Sequence, residues 1–147
     1  MSGQDKDIKS SLKFNDYIVK NIIFKYNEGF NGEAVKISFN ITRKVLYKNE
    51  DNNSAEVTLF VDIFDDKFED NQPFYMHIEI TGYFEVDDIQ SEIGKHLIKY
   101  NSVAILFPYV RALITSYTAN SNVPPLILPP INITKMIDEE ESENKKQ

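Results

Sequence analysis

The side chains that could do chemistry in this chain include adjacent carboxylates, such as the pairs at 65–66 and 87–88, and two histidines, His77 and His96. Paired carboxylates can serve as acid and base or hold a metal ion, and histidine exchanges protons near neutral pH. Both pairs lie in predicted turns, where capping or solvation explains them. Neither histidine has a candidate nucleophile or metal-ligand cluster beside it in the sequence.

Other catalytic signatures are also missing from the sequence. There is no cysteine, and the five glycines do not cluster into a phosphate-binding loop. The nucleophile motif G-x-S-x-G does not occur. We therefore predict a protein that is not an enzyme and that needs no cofactor or metal.

Length and charge narrow the class further. The 147 residues predict one domain over 13–137, with a flexible N-terminus over 1–12 and a disordered acidic tail over 138–147. The net charge of −7 argues against nucleic-acid binding, which requires clustered Lys and Arg. The N-terminus has no apolar core of the secretory type, so we expect a cytoplasmic protein.

One long tract stands out because it carries a single charge, Arg111, between residues 101 and 134. The tract divides into a predicted helix, 102–119, and an extended apolar arm, 124–133, that contains two Pro-Pro pairs. Pro108, Arg111 and the first Pro-Pro pair interrupt the tract, so we expect no membrane span. Pro108 is expected to kink or restart the helix, and Arg111 to bond a backbone carbonyl or a carboxylate.

The predicted helix is apolar around most of its circumference. Its apolar residues are Val103, Ile105, Leu106, Phe107, Tyr109, Val110, Leu113, Ile114 and Tyr117. Such a helix needs burial on two sides, and one small sheet covers only one of them.

Upstream of the tract, apolar residues recur with a period of two. The pattern predicts four strands, at 16–26, 34–47, 54–65 and 74–86, joined by polar connections into an antiparallel meander. A short helical segment follows at 87–98. Strands first and helices last favour an α+β domain with the helices on one face of the sheet.

The last third of the chain resembles the bacterial SecB preprotein-export chaperone family. The similarity lies in ILFPYVR at 105–111, ITS at 114–116 and PLILPPIN at 125–132, in the family's order. Gly82-Tyr83-Phe84 resembles the family's G-G-x-F turn, with Thr81 in place of its first glycine. The resemblance implies a four-stranded antiparallel sheet with two helices on one side, and a homotetramer built as a dimer of dimers.

Members of this family hold unfolded chains in apolar grooves without ATP or a cofactor. By resemblance, the client-binding residues here are Tyr109, Leu113, Tyr117, Val123, Leu126, Leu128, Ile131, Ile133 and Met136. The oligomer-interface residues are Val103, Leu106, Val110, Ile114, Ile37 and Phe39. Leu126, Leu128 and Ile131 are equally compatible with an ordinary core. If they line a groove, Leu126→Asp or Leu128→Asp should weaken client binding and leave the oligomer intact.

The sequence also departs from the family on the solvent face of its sheet. The family uses acidic residues there to dock the SecA motor, whereas this chain has Asn21, Lys25, Tyr75 and His77 in that region. The expected partners are therefore unfolded preproteins, with or without SecA, or an antitoxin protected by a SecB-like chaperone. An oligomeric adaptor for one dedicated partner is the competing hypothesis.

Overall fold

The computed structural model describes residues 11–49, 53–69, 71–123, 126–128 and 130–146. The predicted order of strands before helices is confirmed. The elements are β1 (Leu12–Tyr26), β2 (Phe39–Asn49), β3 (Ser54–Ile63), β4 (Phe74–Val86), α1 (Glu92–His96), a π-helical turn (Leu97–Asn101), α2 (Ser102–Asn120) and α3 (Ile133–Lys146). The flexible N-terminus was predicted over 1–12, and residues 1–10 of it lie outside the described residues.

The strands form one antiparallel sheet in the order β1-β4-β3-β2. The prediction of a meander through all four strands is wrong. Strand β1 pairs with β4, so only β2, β3 and β4 are sheet neighbours in chain order. The connection 27–38 crosses the end of the sheet, where the Asn27 amide donates to the Pro73 carbonyl at 3.0 Å. The Asn31 amide donates to Asn71 Oδ1 at 3.0 Å on the same path. Strands β1 and β2 are therefore the two edges of the sheet.

Strand β1 mixes apolar residues on both parities because it is irregular in two places. Its register against β4 shifts between Phe14 and Asp16 and again between Val19 and Asn21. Each extra residue reverses the side-chain alternation. The side chains of β1 that pack toward the helices are Leu12, Phe14, Tyr17, Val19, Ile22 and Phe24.

The core lies between the sheet and α2. Strands β3 and β4 alternate buried and half-buried side chains, as their period of two predicted. Four α2 residues are completely or almost completely buried in this single chain: Val103, Leu106, Val110 and Ile114. Their assignment to an oligomer interface is corrected, since the chain's own sheet already covers them. Ile37 is exposed and Phe39 is half-buried against the Phe107 ring, so those two stay available to another copy.

Helix α2 approaches β4 closely at Gly82. A Cβ atom at this position would lie 2.8 Å from Leu106 Cδ2 and 2.6 Å from Phe84 Cε2. The neighbouring Thr81 projects to the opposite face, where its hydroxyl bonds that of Thr58 at 2.6 Å. This difference explains why the chain has a glycine at 82 and accommodates a threonine at 81. Both residues lie within β4, so the turn expected from the G-G-x-F resemblance is wrong.

We expect Gly82→Ala to destabilise the protein by about 1–3 kcal/mol, because the added methyl group overpacks the contact between α2 and β4. Urea unfolding followed by circular dichroism measures the change. Gly29→Ala is the matched control, since a Cβ there meets only Asn27 Oδ1 at 3.4 Å. Equal stability of the two variants would contradict the close approach.

The acidic C-terminal segment is helical, not disordered as expected for 138–147, since α3 runs through Ile133–Lys146. Arg43 Nη2 donates to Glu141 Oε2 at 2.8 Å, and Lys99 Nζ lies 2.7 Å from Glu141 Oε1. The hydrogen bond from Lys99 is the main cause that lowers the pKa of Glu141, and Arg43 lowers it further. Tyr100 also donates to Asp138 at 2.6 Å. Basic partners far away in the sequence therefore hold α3 against the rest of the domain.

The helical segment Glu92–Asn120 spans 29 residues and is long and apolar enough, by length and composition, to cross a membrane. Pro108 and Arg111, which were expected to interrupt the tract, lie inside the continuous helix α2. One face of the segment is packed on the sheet of the same chain. Core helices pass the same test, so this length carries no argument for a membrane span.

Candidate functional site

The apolar arm is anchored along one flank of α2. Arg111 Nη1 donates to the Leu128 carbonyl at 2.6 Å, and the guanidinium carbon lies 5.4 Å from the centre of the Phe107 ring. The Leu126 amide donates to Thr118 Oγ1 at 2.9 Å. Residue 126 thus lies near the C-terminal end of α2 and residue 128 nearer its middle, so the arm runs antiparallel to the helix. The expectation that Arg111 bonds a backbone carbonyl is confirmed.

Alternate side chains of the arm face opposite ways. Leu128 is only 3% exposed, Leu126 is half-buried, and Ile127 between them is 74% exposed. Leu128 is therefore part of the core of the single chain, and its assignment to the client groove is corrected. Val123 is buried in the same way. Ile127 was missed, although the alternation of an extended segment whose flanking leucines face inward points to it. The prolines at 124, 125 and 129 lie outside the described residues.

The other flank of α2 forms an apolar groove against β1. This α2–β1 groove is lined by Tyr17, Val19, Tyr109, Ala112, Leu113 and Ser116 and has a volume of about 260 Å³. The rings of Tyr17 and Tyr109 lie 4.2 Å apart, and those of Phe24 and Tyr117 lie 6.4 Å apart. Two predicted client-binding residues, Tyr109 and Leu113, line this groove, and a third, Tyr117, packs against Phe24 of the same strand. Tyr17 and Val19 were missed, because the irregularities of β1 conceal which face they occupy.

A third surface, the β2 cleft, lies between the edge strand β2 and α3. Its volume is about 270 Å³, and it is lined by Phe39, Asn40, Ile41, Thr42, Met136, Glu139, Glu140 and Glu143. Met136 is thus a cleft residue, while Ile131 and Ile133 are half-buried around the start of α3. The nine predicted client-binding residues consequently do not form one groove. They divide between the two flanks of α2, the β2 cleft and the core.

The outer face of the sheet does assemble the residues predicted to correspond to the motor-docking region. Lys25 pairs with Tyr75 across β1 and β4, His77 pairs with Ile23, and Asn21 pairs with Glu79. Asp62 of β3 joins them, accepting from the Tyr75 hydroxyl at 2.7 Å and lying 2.9 Å from His77 Nδ1. Burial is the largest cause that raises the pKa of Tyr75, and the hydrogen bond to Asp62 is the second. The phenol therefore stays protonated. The Asp62 carboxylate is thereby engaged within the sheet.

The paired carboxylates act as turn caps, as predicted. Asp65 Oδ1 accepts from the Lys67 amide at 2.8 Å, and this bond is the main cause that lowers the pKa of Asp65. Asp88 Oδ1 accepts from the Gln90 amide at 3.0 Å. Within the described part of the chain, no group of three or more His, Asp or Glu side chains is arranged to hold a metal ion. The site is therefore built mainly from apolar side chains, with charges at the β2 cleft.

Comparison with known proteins decides the family. A family model described as preprotein translocase subunit SecB matches residues 8–144. The chain belongs to the SecB family. The resemblance found in the ILFPYVR, ITS and PLILPPIN elements is confirmed by this match.

Several proteins are similar to this chain over most of their length. An uncharacterized protein of Methanocaldococcus jannaschii is 40% identical over 140 residues, with 92% of this chain and 90% of that protein covered. The protein-export protein SecB of Bartonella quintana is 28% identical over 116 residues, covering 78% of this chain and 70% of that protein. The SecB of Magnetococcus marinus is 30% identical over 110 residues, covering 74% and 69%.

A solved structure shares the SecB-like fold. It is the SecB-like chaperone of Mycobacterium tuberculosis in complex with a ChAD peptide from the HigA1 antitoxin. The TM-score is 0.65 at 13% identity, with 82% of this chain and 88% of that chain covered. The four-stranded antiparallel sheet with helices is thus the SecB-like fold.

Proposed function

We propose that this protein is an ATP-independent holdase that binds unfolded or slowly folding polypeptides on the apolar surfaces beside α2. Its family membership and the protein-export names of its relatives support a chaperone role rather than catalysis. In this role it keeps clients competent for export or free of aggregation in the cytoplasm.

The observation that carries this proposal is the apolar side chains left uncovered on both flanks of α2. Ile127 projects from the arm on one flank, and Tyr17 and Tyr117 are exposed on the other. Apolar burial is non-directional and contributes roughly 25 cal/mol per Å². Such surfaces accept many client sequences, and folded proteins escape because their apolar segments are already buried.

The client-binding set changes in the light of the structure. Val123 and Leu128 are excluded from the client-binding residues because the single chain buries them. We add Ile127, Tyr17 and Val19. We keep Tyr109, Leu113, Tyr117, Leu126, Ile131, Ile133 and Met136. Their spread over several surfaces suits a long client that contacts many weak sites at once.

We further propose the homotetramer, arranged as a dimer of dimers, that the family resemblance implies. Since the sheet-facing side of α2 is buried in one chain, the contacts between copies must use other residues. The outward side of α2 presents Ala104, Pro108 and Ala112, whose small side chains allow close approach of a second helix. Ile37 and Phe39 are additional candidates. Several client surfaces on one tetramer would raise the effective concentration for a single long client.

A dedicated antitoxin chaperone is the second candidate. The supporting observation lies on the outer sheet face. Asn21, Lys25 and His77 stand there at positions where the SecB resemblance implies acidic residues that dock SecA. The related chaperone of Mycobacterium tuberculosis binds an antitoxin peptide. Co-sedimentation with purified SecA distinguishes the roles: binding to SecA favours export, and no binding together with capture of one antitoxin favours the dedicated role. An adaptor would bind one short motif and ignore unfolded chains in general.

We expect Ile127→Asp to weaken the binding of an unfolded client by about tenfold while leaving stability unchanged within about 0.5 kcal/mol. The charge would lie on an exposed apolar contact and would not enter the core. Fluorescence titration of reduced, carboxymethylated lactalbumin, which stays unfolded, measures the affinity. Thr134→Asp is the control because it adds the same charge at an exposed polar position on α3. Equal affinity of the two variants would remove Ile127 from the client surface.

A further inference from the structure

The outer edge of β2 carries backbone groups that β3 does not use. Residues of an antiparallel strand alternate between bonding one neighbour and facing the other way. The Ser38 carbonyl accepts from the Phe64 amide at 2.8 Å, on the β3 side, whereas the Arg43 amide donates to Glu140 Oε2 at 2.9 Å. By this alternation the amides and carbonyls of Ile41 and Val45 face outward together with those of Arg43.

Glu140 therefore occupies a position where the carbonyl of an added strand would bind. Its carboxylate caps the Arg43 amide at the middle of an edge strand, and unpaired edges of this kind accept a further strand readily. The side chains of Ile41 and Met136 line the β2 cleft at the same place. An extended segment lying there would find backbone partners along β2 and apolar side chains beside it.

The hydrogen bond by which Glu140 caps the Arg43 amide is energetically imperfect. Burial raises the pKa of Glu140, because removing a carboxylate from water disfavours its charged form. Arg43 Nε lies 3.8 Å from Glu140 Oε1, is buried, and has no hydrogen-bond partner within the described residues. An unsatisfied buried donor opposes the capped arrangement. In contrast, Arg43 Nη2 is well bonded to Glu141 at 2.8 Å, so α3 can stay attached when Glu140 leaves the edge.

We infer that β2 accepts the main chain of an extended client segment as an added strand, and that the Glu140 carboxylate gates this edge. The inference rests on the proposed holdase function and names the backbone site of its client. The occupant is an unfolded polypeptide in extended conformation, because the outward groups of β2 pair with any main chain regardless of its side chains. Client entry and displacement of Glu140 are then one coupled step.

Amide hydrogen exchange with the full-length protein and reduced, carboxymethylated lactalbumin tests the pairing directly. The amides of Ile41 and Val45 should become protected when the client binds. The amides of Thr42 and Lys44 bond toward β3 and serve as internal controls that should not change. A bound client that leaves exchange at Ile41 and Val45 unaltered overturns strand addition while leaving the holdase in place.

The gate is tested by substitution. Glu140→Ala should raise client affinity about three- to tenfold, since a competing hydrogen bond to the Arg43 amide is removed. Glu140→Gln keeps an acceptor oxygen and should give a smaller gain. Glu92→Ala, which removes the same charge at an exposed position of α1 outside the β2 cleft, should leave affinity unchanged. Equal affinity for Glu140→Ala and wild type rejects the gate, and no lactalbumin binding by the folded wild type rejects the holdase itself.

Discussion

Leu128→Asp is expected to destabilise the fold by at least about 3 kcal/mol. Removing a buried leucine side chain costs about 2–5 kcal/mol, and a carboxylate in the same place must also lose its water without a paired cation. Leu128 is almost completely buried, and its carbonyl is held by Arg111. Thermal unfolding followed by circular dichroism measures the loss. The earlier expectation that this variant would only weaken client binding assumed an exposed side chain.

Leu128→Met provides the control, because it conserves the volume and should cost less than about 1.5 kcal/mol. The neighbouring substitution Ile127→Asp adds the same charge one residue away and should leave the fold intact. A stable, normally folded Leu128→Asp protein with poor client binding would return Leu128 to the client surface.

Arg111→Met is expected to detach the arm from α2, with a loss of about 1.5–3 kcal/mol for the hydrogen bond of a charged donor to the Leu128 carbonyl. Methionine keeps an apolar stem beside Phe107 but supplies no donor. Amide exchange at Leu126 and Leu128 should accelerate before the sheet opens, because the remaining hydrogen bonds described between α2 and the arm, those of Thr118 and Thr115, both reach Leu126. The measurement is exchange at single residues, together with thermal unfolding.

Lys135→Met is the matched control for this change, since it removes one positive charge at an exposed position of α3. Arg111→Lys keeps the charge but not the planar group, and should fall between wild type and Arg111→Met. An arm that exchanges at the wild-type rate in Arg111→Met would mean that this hydrogen bond does not anchor it.

The sequence predicted the strands well where their alternation is uninterrupted. Strands β3 and β4 follow a period of two from end to end, so their buried faces could be assigned in advance. Strand β1 could not be assigned, because two local irregularities reverse the parity and depend on its pairing with β4. Its place at the far edge was also hidden, since the connection 27–38 gives no sign of crossing the sheet.

The faces of α2 were harder to assign than its existence. An apolar circumference indicates burial on more than one side, but it does not show which side meets the sheet. Val110 and Ile114 could thus be given to a partner subunit when they belong to the chain's own core. Close approach at Gly82 fixes the orientation, and only the structure reveals it.

The acidic helix α3 was mistaken for a tail because its partners are distant in sequence. Arg43 and Glu141 are 98 positions apart, and no local pattern connects them. Asp62 was missed on the outer sheet face for the same reason, since it reaches His77 only across neighbouring strands. Local motifs identified the family and the arm, whereas long-range charge pairs required the fold.

The most direct test of the proposed holdase is suppression of aggregation. A chemically unfolded exported protein is diluted into buffer with increasing amounts of the purified protein, and light scattering is followed with a folded protein as competitor. We expect suppression near one tetramer per client, without ATP and unaffected by the competitor. Undiminished scattering in the presence of an intact oligomer would contradict the holdase and favour an adaptor for one dedicated partner.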